Sequence, residues 1–192
     1  MVTIINMGST KTPQIAEVFT KKSIQNQILS ENEFSFDAIK NSKAIVLSGS
    51  PVLLSEISGN DYNHYLIKYD FIKSLTIPVL GICFGHQLIG ILHGARIGKC
   101  TPDRSWQNIK QVNPHEIFSK FDKEYTMMQD HQECITVPPH FIHLGTSTIC
   151  ENEAMIHPVK KMVSVQYHPE VSEKNGDLFF DQIISYFKLI NN

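Results

Sequence analysis

The segment Gly81-Ile82-Cys83-Phe84-Gly85-His86-Gln87 follows directly on the apolar run Ile77-Pro78-Val79-Leu80. It restricts the fold more than any other stretch of the chain. A cysteine with a glycine two residues away on either side has the shape of a nucleophile elbow, a sharp turn from a strand into a helix. The glycines let the backbone pass where a Cβ would clash, and the turn presents its central side chain at the strand end. A buried structural cysteine in a Gly-rich turn is the alternative reading of the same residues.

A strand that leads straight into a helix belongs in a parallel sheet, and the first half of the chain repeats that pattern. Val2 to Asn6 reads as a strand followed by a helix over Thr12 to Lys22. Ala44 to Leu47 precedes a helix over Tyr62 to Ser74, and Ile77 to Ile82 precedes one over Phe84 to Ala95. This alternation predicts an α/β fold with a mostly parallel central sheet flanked by helices in three layers. Phe84, Leu88, Ile91 and Leu92 recur at helical spacing and would pack the turn's helix onto the sheet. After Ala95 the runs shorten and are broken by Pro and Gly. Gln111 to Pro114, Thr136 to Pro139 and Met162 to Gln166 read as strands of a small antiparallel sheet and its loops, and Glu173 to Leu189 as a final helix. With 192 residues and no repeat or linker, one domain over 1–192 is expected.

Four cysteines, Cys83, Cys100, Cys134 and Cys150, form no C-x-x-C pair. The opening Met1-Val2-Thr3-Ile4-Ile5-Asn6 lacks the basic start of a secretory leader, so a reduced, cytoplasmic protein is expected. A formal net charge of -2 with scattered basic residues offers no footprint for nucleic acid, and no apolar stretch is long enough to span a bilayer. Small molecules or proteins remain as partners.

A nucleophilic cysteine needs its thiolate favoured or a base beside it. Cys83 at the start of the Phe84 helix meets free N–H groups and the positive end of the helix dipole. Among nine histidines, His168 in Val165-Gln166-Tyr167-His168-Pro169-Glu170 has a carboxylate two residues away. In extended backbone His168 and Glu170 face the same side, so Glu170 can orient the imidazole that takes the thiol proton. A solvated surface His-Pro-Glu is the alternative. A metal role for His-x-Glu is poorer, because neither the cysteine spacing nor a second paired histidine completes a zinc set, and no metal is expected. Acyl chemistry also needs two N–H donors for the developing oxyanion. The backbone of Phe84, just after the cysteine, and the Gly49-Ser50 turn after the strand Val46-Leu47-Ser48 fit those places. No G-x-x-x-x-G-K-[ST] phosphate loop occurs in the chain.

Leu47-Ser48-Gly49-Ser50-Pro51, then the elbow, then Val165 to Glu170, in that order, resemble the class I glutamine amidotransferases, over nearly the whole chain. The similarity is greatest to the separate glutaminase subunits of two-chain GMP synthetases, through Glu153-Ala154-Met155-x-His157 and Glu170-Val171. The resemblance implies a flavodoxin-like fold and a triad of Cys83, His168 and Glu170. It also implies oxyanion donors on Ser50 and Phe84, and substrate contacts from Gly49, Gln87, Asp130 and His131. Ammonia released from L-glutamine would pass to a separate ATP-pyrophosphatase subunit, which holds the ATP and Mg²⁺ and turns XMP into GMP. Glutaminase subunits of anthranilate or aminodeoxychorismate synthase, and a catalytically quiet scaffold, are the alternatives. This chain has Ser50 where the family usually has glycine, Phe84 in place of leucine and Asp130 in place of serine. A Cβ at position 50 predicts a poorly formed oxyanion hole until a synthetase docks. His86, Tyr167, His64, His93, His115, His140 and His143 are assigned to packing or solvent.

Overall fold

A computed structural model describes residues 1–190; positions 191 and 192 of the expected domain lie outside the described residues. The chain begins with β1 (Val2–Asn6), α1 (Thr12–Lys21) and β2 (Asn26–Ser30), then a single-turn α2 (Phe36–Ile39) and β3 (Ala44–Leu47). Next come α3 (Gly59–Tyr69), β4 (Val79–Ile82) and α4 (Phe84–Leu92). Six short strands follow: β5 (Ile97–Asp103), β6 (Trp106–Gln111), β7 (Glu124–Met128), β8 (His131–Ile135), β9 (Ile142–Thr146) and β10 (Ala154–His157). The last strand is β11 (Met162–Val165), and α5 (Glu173–Phe187) closes the fold.

One nine-stranded sheet carries the order β2-β1-β3-β4-β11-β10-β9-β6-β7, and β5 and β8 form a separate two-stranded sheet. Strands β2 to β11 in that order run parallel, and β10, β9, β6 and β7 extend the sheet antiparallel. The α/β architecture with a small antiparallel sheet is therefore the one the alternation predicts. Side chains that alternate along a strand point to opposite faces, and the core divides accordingly. Ile4, Val46, Leu80 and Val163 pack beneath α1 and α5 with Phe19, Phe179 and Phe180. Ile5, Ile45, Leu47 and Val79 pack on the other side with Tyr69, Ile72, Leu88 and Ile89. Both faces of β3, β4 and β11 and nearly all of β1 are thus dry, which explains why β3 and β4 read as apolar runs, whereas β2 at the edge is half-exposed. Among the described residues no helix is long and apolar enough to cross a membrane.

Three expected strands are corrected. Met162 to Gln166, read as part of the small antiparallel sheet, is β11 and lies inside the main sheet, parallel to β4 and antiparallel to β10. Thr136 to Pro139 is a loop, because β8 ends at Ile135 and Pro138 and Pro139 have no N–H to give a ladder. Pairing of β6 ends at Gln111, so Gln111 to Pro114 holds the end of that strand and the turn after it. The helix expected over Phe84 to Ala95 stops at Leu92, where Gly94 at φ 93° turns the chain.

Candidate active site

Cys83 sits where β4 becomes α4, with φ 53° and ψ -106°. A non-glycine residue in that region costs on the order of 1–3 kcal/mol and persists only where its surroundings hold it. Here they do so from both sides: the Cys83 N–H donates to Val165 O at 2.8 Å, and its carbonyl accepts from Gln87 N–H at 3.0 Å. The flanking glycines are required by close approach. A Cβ on Gly85 would lie 2.4 Å from Leu47 O, and one on Gly81 would lie 2.7 Å from Gly85 O. The elbow is therefore wedged between β3 and β11.

His168 follows β11, and the short 3-10 turn Pro169–Val171 brings Glu170 back under its ring. His168 Nδ1 and Glu170 Oε1 are 2.7 Å apart, and both side chains are buried. The His168 backbone is fixed by its N–H donating to Met128 O at 2.9 Å and by Ser172 Oγ donating to its carbonyl at 2.6 Å. Burial disfavours the imidazolium, but the Glu170 carboxylate and the charge and hydrogen bonding of Cys83 outweigh it. The His168 pKa is raised to about 10. Gly49 lies between the two groups: a Cβ there would approach His168 Cε1 to 3.1 Å and Cys83 Cβ to 3.7 Å. Cys83, His168 and Glu170 are brought together, but not through the extended backbone expected for His168 and Glu170: β11 ends at Val165, and the 3-10 turn that Pro169 begins, not strand alternation, puts the carboxylate behind the imidazole.

Cys83 and His168 open into a cavity of about 300 Å³ whose wall also includes Ser50, Gln87, Asp130, His131 and Glu133. Gly49 is behind this wall, not in it. Ser50 is outside the left-handed region, so its Cβ imposes no backbone strain. Its Oγ accepts from Val52 N–H at 3.2 Å. The preceding carbonyl, Gly49 O, accepts from Ser48 Oγ at 2.9 Å, and Ser48 Oγ itself accepts from Met7 N–H at 2.9 Å. In a trans peptide the N–H points away from its own carbonyl, so Ser48 fixes the direction of the Ser50 N–H. Neither that N–H nor the Phe84 N–H donates to any described residue.

Gln87 is held by its amide nitrogen, which donates to Glu133 O and Gln166 Oε1, each at 3.1 Å. Its amide oxygen is left as an acceptor beside the cavity. At the mouth, Asp130 meets Lys11 Nζ at 2.5 Å and Arg104 Nε at 3.4 Å. Partial burial opposes its charge, but these cations, Lys11 foremost, hold its carboxyl below the usual range. His131 is nearly buried, and burial lowers its pKa.

Five contributors are not marked as site residues by the sequence. Lys11 and Arg104 come from separate loops with no motif. Glu133 caps the backbone N–H groups of Leu54 and Ser55 at 2.9 Å each, tying that loop to β8. Ser172, like Ser48, acts only through backbone contacts. Of the residues assigned to packing, His86 is wholly buried between Ser164 Oγ and Asn152 O, at 3.0 Å each, and burial lowers its pKa to about 3. None of the other histidines assigned there lines the cavity.

A doubly covered parallel sheet with a cysteine on a strained strand-to-helix turn, facing a carboxylate-backed histidine, defines an α/β protein of the nucleophile-elbow class. The chain belongs to the Glutamine amidotransferase class-I family, whose profile matches residues 3–185. It is 32% identical over 181 residues to a subunit of glutamine-hydrolyzing GMP synthase from Methanococcus aeolicus, covering 92% of each chain. Identity to the corresponding GMP synthase subunit of Methanosarcina acetivorans is 35% over 136 residues, 69% of this chain and 67% of that one. A crystal structure described as a putative GMP synthase subunit from Thermoplasma acidophilum superposes with a TM-score of 0.86 at 22% identity, covering 97% of this chain and 93% of that one.

Proposed function

We propose that this chain is the glutaminase subunit of a two-chain GMP synthetase, hydrolysing L-glutamine and supplying ammonia to a separate ATP-pyrophosphatase subunit in the cytoplasm. The observation that carries the reading is the joint opening of Cys83 and His168 into one cavity, with Glu170 2.7 Å behind the imidazole. The similarity to archaeal proteins named as subunits of glutamine-hydrolyzing GMP synthase supports the choice of acceptor.

The residues suggest the following course. The glutamine side-chain carbonyl carbon lies against Cys83 Sγ. Its oxygen points to the N–H groups of Ser50 and Phe84, and Gln87 Oε1 receives a substrate N–H. At the mouth, Asp130 suits the α-ammonium group and Lys11 with Arg104 the α-carboxylate. The sulfur adds to the carbonyl carbon, and the negative charge moves onto the oxygen held by the two N–H groups. The C–N bond breaks as His168 gives its proton to the leaving nitrogen, which departs as ammonia. A water then loses a proton to His168 and attacks the thioester. The C–S bond breaks, releasing glutamate and restoring Cys83. Glu170 keeps the imidazole in place throughout and stabilises its charged form.

No phosphate-binding loop motif occurs in this sequence, and the adenylation of XMP with ATP and Mg²⁺ is assigned to the partner. Ser50 carries no backbone strain and Ser48 already fixes its N–H, so the ground for expecting a poorly formed oxyanion hole in the isolated chain falls away, and glutamate release is expected without the partner as well. The test is reconstitution with an ATP-pyrophosphatase chain from the same organism, XMP, ATP and Mg²⁺. Glutamine should then support GMP formation, and Cys83→Ala should abolish it while leaving synthesis from ammonium chloride intact. Failure of glutamine to support any GMP would overturn the assignment. Glutamate release seen only in the presence of the partner would contradict a site that is formed in the isolated chain.

A further inference from the structure

Two of the three cysteines that the amide chemistry does not use lie in the small sheet. Cys100 is in β5, and Cys134 is in β8 with His131. Their sulfur and ring-nitrogen atoms all fall within 4.8 Å of one another, Cys100 Sγ being 3.6 Å from His131 Nδ1. The strand pairing explains how. From Lys99↔Glu133 to Asp103↔His131, β5 advances four residues while β8 advances two. The surplus residues bulge out of the ladder and carry Cys100 round to meet the other two.

From this geometry we propose that Cys100, His131 and Cys134 form a Zn²⁺ site. Two thiols and an imidazole are a donor set for zinc, whereas calcium and magnesium take oxygen ligands. Around tetrahedral zinc, sulfur at about 2.3 Å and nitrogen at about 2.0 Å put neighbouring donors roughly 3.5–3.8 Å apart. The cluster needs to contract by only about 1 Å to reach that spacing. Binding releases the thiol protons of Cys100 and Cys134 to solvent and leaves two thiolates and a neutral imidazole on the ion. The fourth position falls to water. Cys150 stays outside the set, its thiol donating to Asn152 O at 3.5 Å.

A second, independent feature points the same way. His131 Nε2 and Asp103 Oδ2 are both buried without a partner among the described residues, and the two residues face each other across the strands. When Nδ1 ligates a metal, the proton must sit on Nε2, and a carboxylate beside it is the usual orienting partner for a metal-bound histidine. The two orphaned atoms do not bond each other in this structure; ligation through Nδ1 would give Nε2 the proton that a small closure toward Asp103 Oδ2 would use. The site also adjoins the catalytic cavity. Asp130 O is 3.8 Å from Cys83 Sγ, and Glu133 O holds Gln87, so β8 forms one wall of the cavity. Zinc that ties β8 to β5 braces this wall.

Metal content after zinc loading and exhaustive dialysis provides the test, independently of any catalytic assay. One zinc per chain should remain in the wild type and in the Cys83→Ala and Cys150→Ser variants. Cys100→Ser and Cys134→Ser should lose it. Differential alkylation of the wild-type protein covers the case in which those variants fail to fold: zinc should slow modification of Cys100 and Cys134 at least tenfold while leaving Cys83 reactive. Retention of less than a tenth of an equivalent by the wild type would overturn the proposal. So would loss of metal in Cys83→Ala, or zinc protection of Cys83 in place of Cys100 and Cys134.

Discussion

His168 Nδ1 stands 2.7 Å from Glu170 Oε1, with side-chain exposures of 3% and 0%. Water cannot stand in for either group at that depth, so the imidazole's tautomer and tilt depend on one carboxylate oxygen. Glu170→Gln keeps the shape but offers an amide where an acceptor is required. Turnover of glutamine should fall about 10²-fold in Glu170→Gln and about 10³- to 10⁴-fold in His168→Ala, because an orienting group is partly replaceable and a proton-transfer group is not. Steady-state glutamate release measures both, and equal losses would contradict the ranking.

The same pair sets a pH dependence of stability. His168 is raised from 6.5 to about 10, so the folded state binds more protons than the unfolded state between those values. Stability from this group is complete below about pH 6.5 and is lost as pH rises through about 10. Urea midpoints should therefore decline from pH 7 to pH 10, and the decline should shrink in Glu170→Gln. Parallel profiles for the two proteins would show that the pair is not coupled to folding.

Glu153 makes an opposite use of burial. It is buried, and desolvation raises its pKa to about 7, with the Ser147 and Gln129 side chains offsetting part of the effect. Gln129 Nε2 donates to both carboxylate oxygens at 3.0 Å while Gln129 Oε1 has no described partner. Since the folded pKa exceeds the unfolded one, stability falls as pH rises from about 4.5 through 7. Glu153→Gln supplies an amide in place of the buried charge and should stabilise the protein by on the order of 1–3 kcal/mol at pH 8, with little effect at pH 5. Thermal melts at the two pH values provide the measurement, and destabilisation at pH 8 would refute it.

Ser48 joins a stability role to a catalytic one. Ser48→Ala leaves Met7 N–H and Gly49 O without their partner, at a cost of about 1–3 kcal/mol. It also frees the Gly49–Ser50 peptide to rotate. The expected result is a lower kcat with a KM changed less than threefold. A variant that loses stability but keeps full kcat would show that Ser50 N–H needs no such restraint.

How much of the fold and site is legible in the sequence follows from where each contact originates. β1 and β3 match their expected bounds because both faces of those strands are buried almost throughout, with the one interior polar residue, Thr3, buried and Asn6 at the strand end. The elbow is visible because backbone contacts demand its glycines, Gly85 against Leu47 and Gly81 against Gly85. His168 and Glu170 lie two residues apart, so their partnership is local. β2, by contrast, is a half-exposed edge strand, Asn26-Gln27-Ile28-Leu29-Ser30, with no apolar periodicity to mark it. The Lys11, Arg104 and Asp130 grouping draws on three loops, and Cys100 meets His131 only through an irregularity in β5. No spacing rule in one sequence reports such a meeting.

Whether Cys83 attacks a glutamine side chain with His168 as its proton carrier is decided by treating the protein with a diazo-ketone analogue of glutamine and mapping the adducts by peptide mass spectrometry. Labelling is expected at Cys83, suppressed by excess glutamine and by His168→Ala, with Cys100, Cys134 and Cys150 unmodified. An unlabelled Cys83, or modification spread evenly over the four thiols, would refute that chemistry.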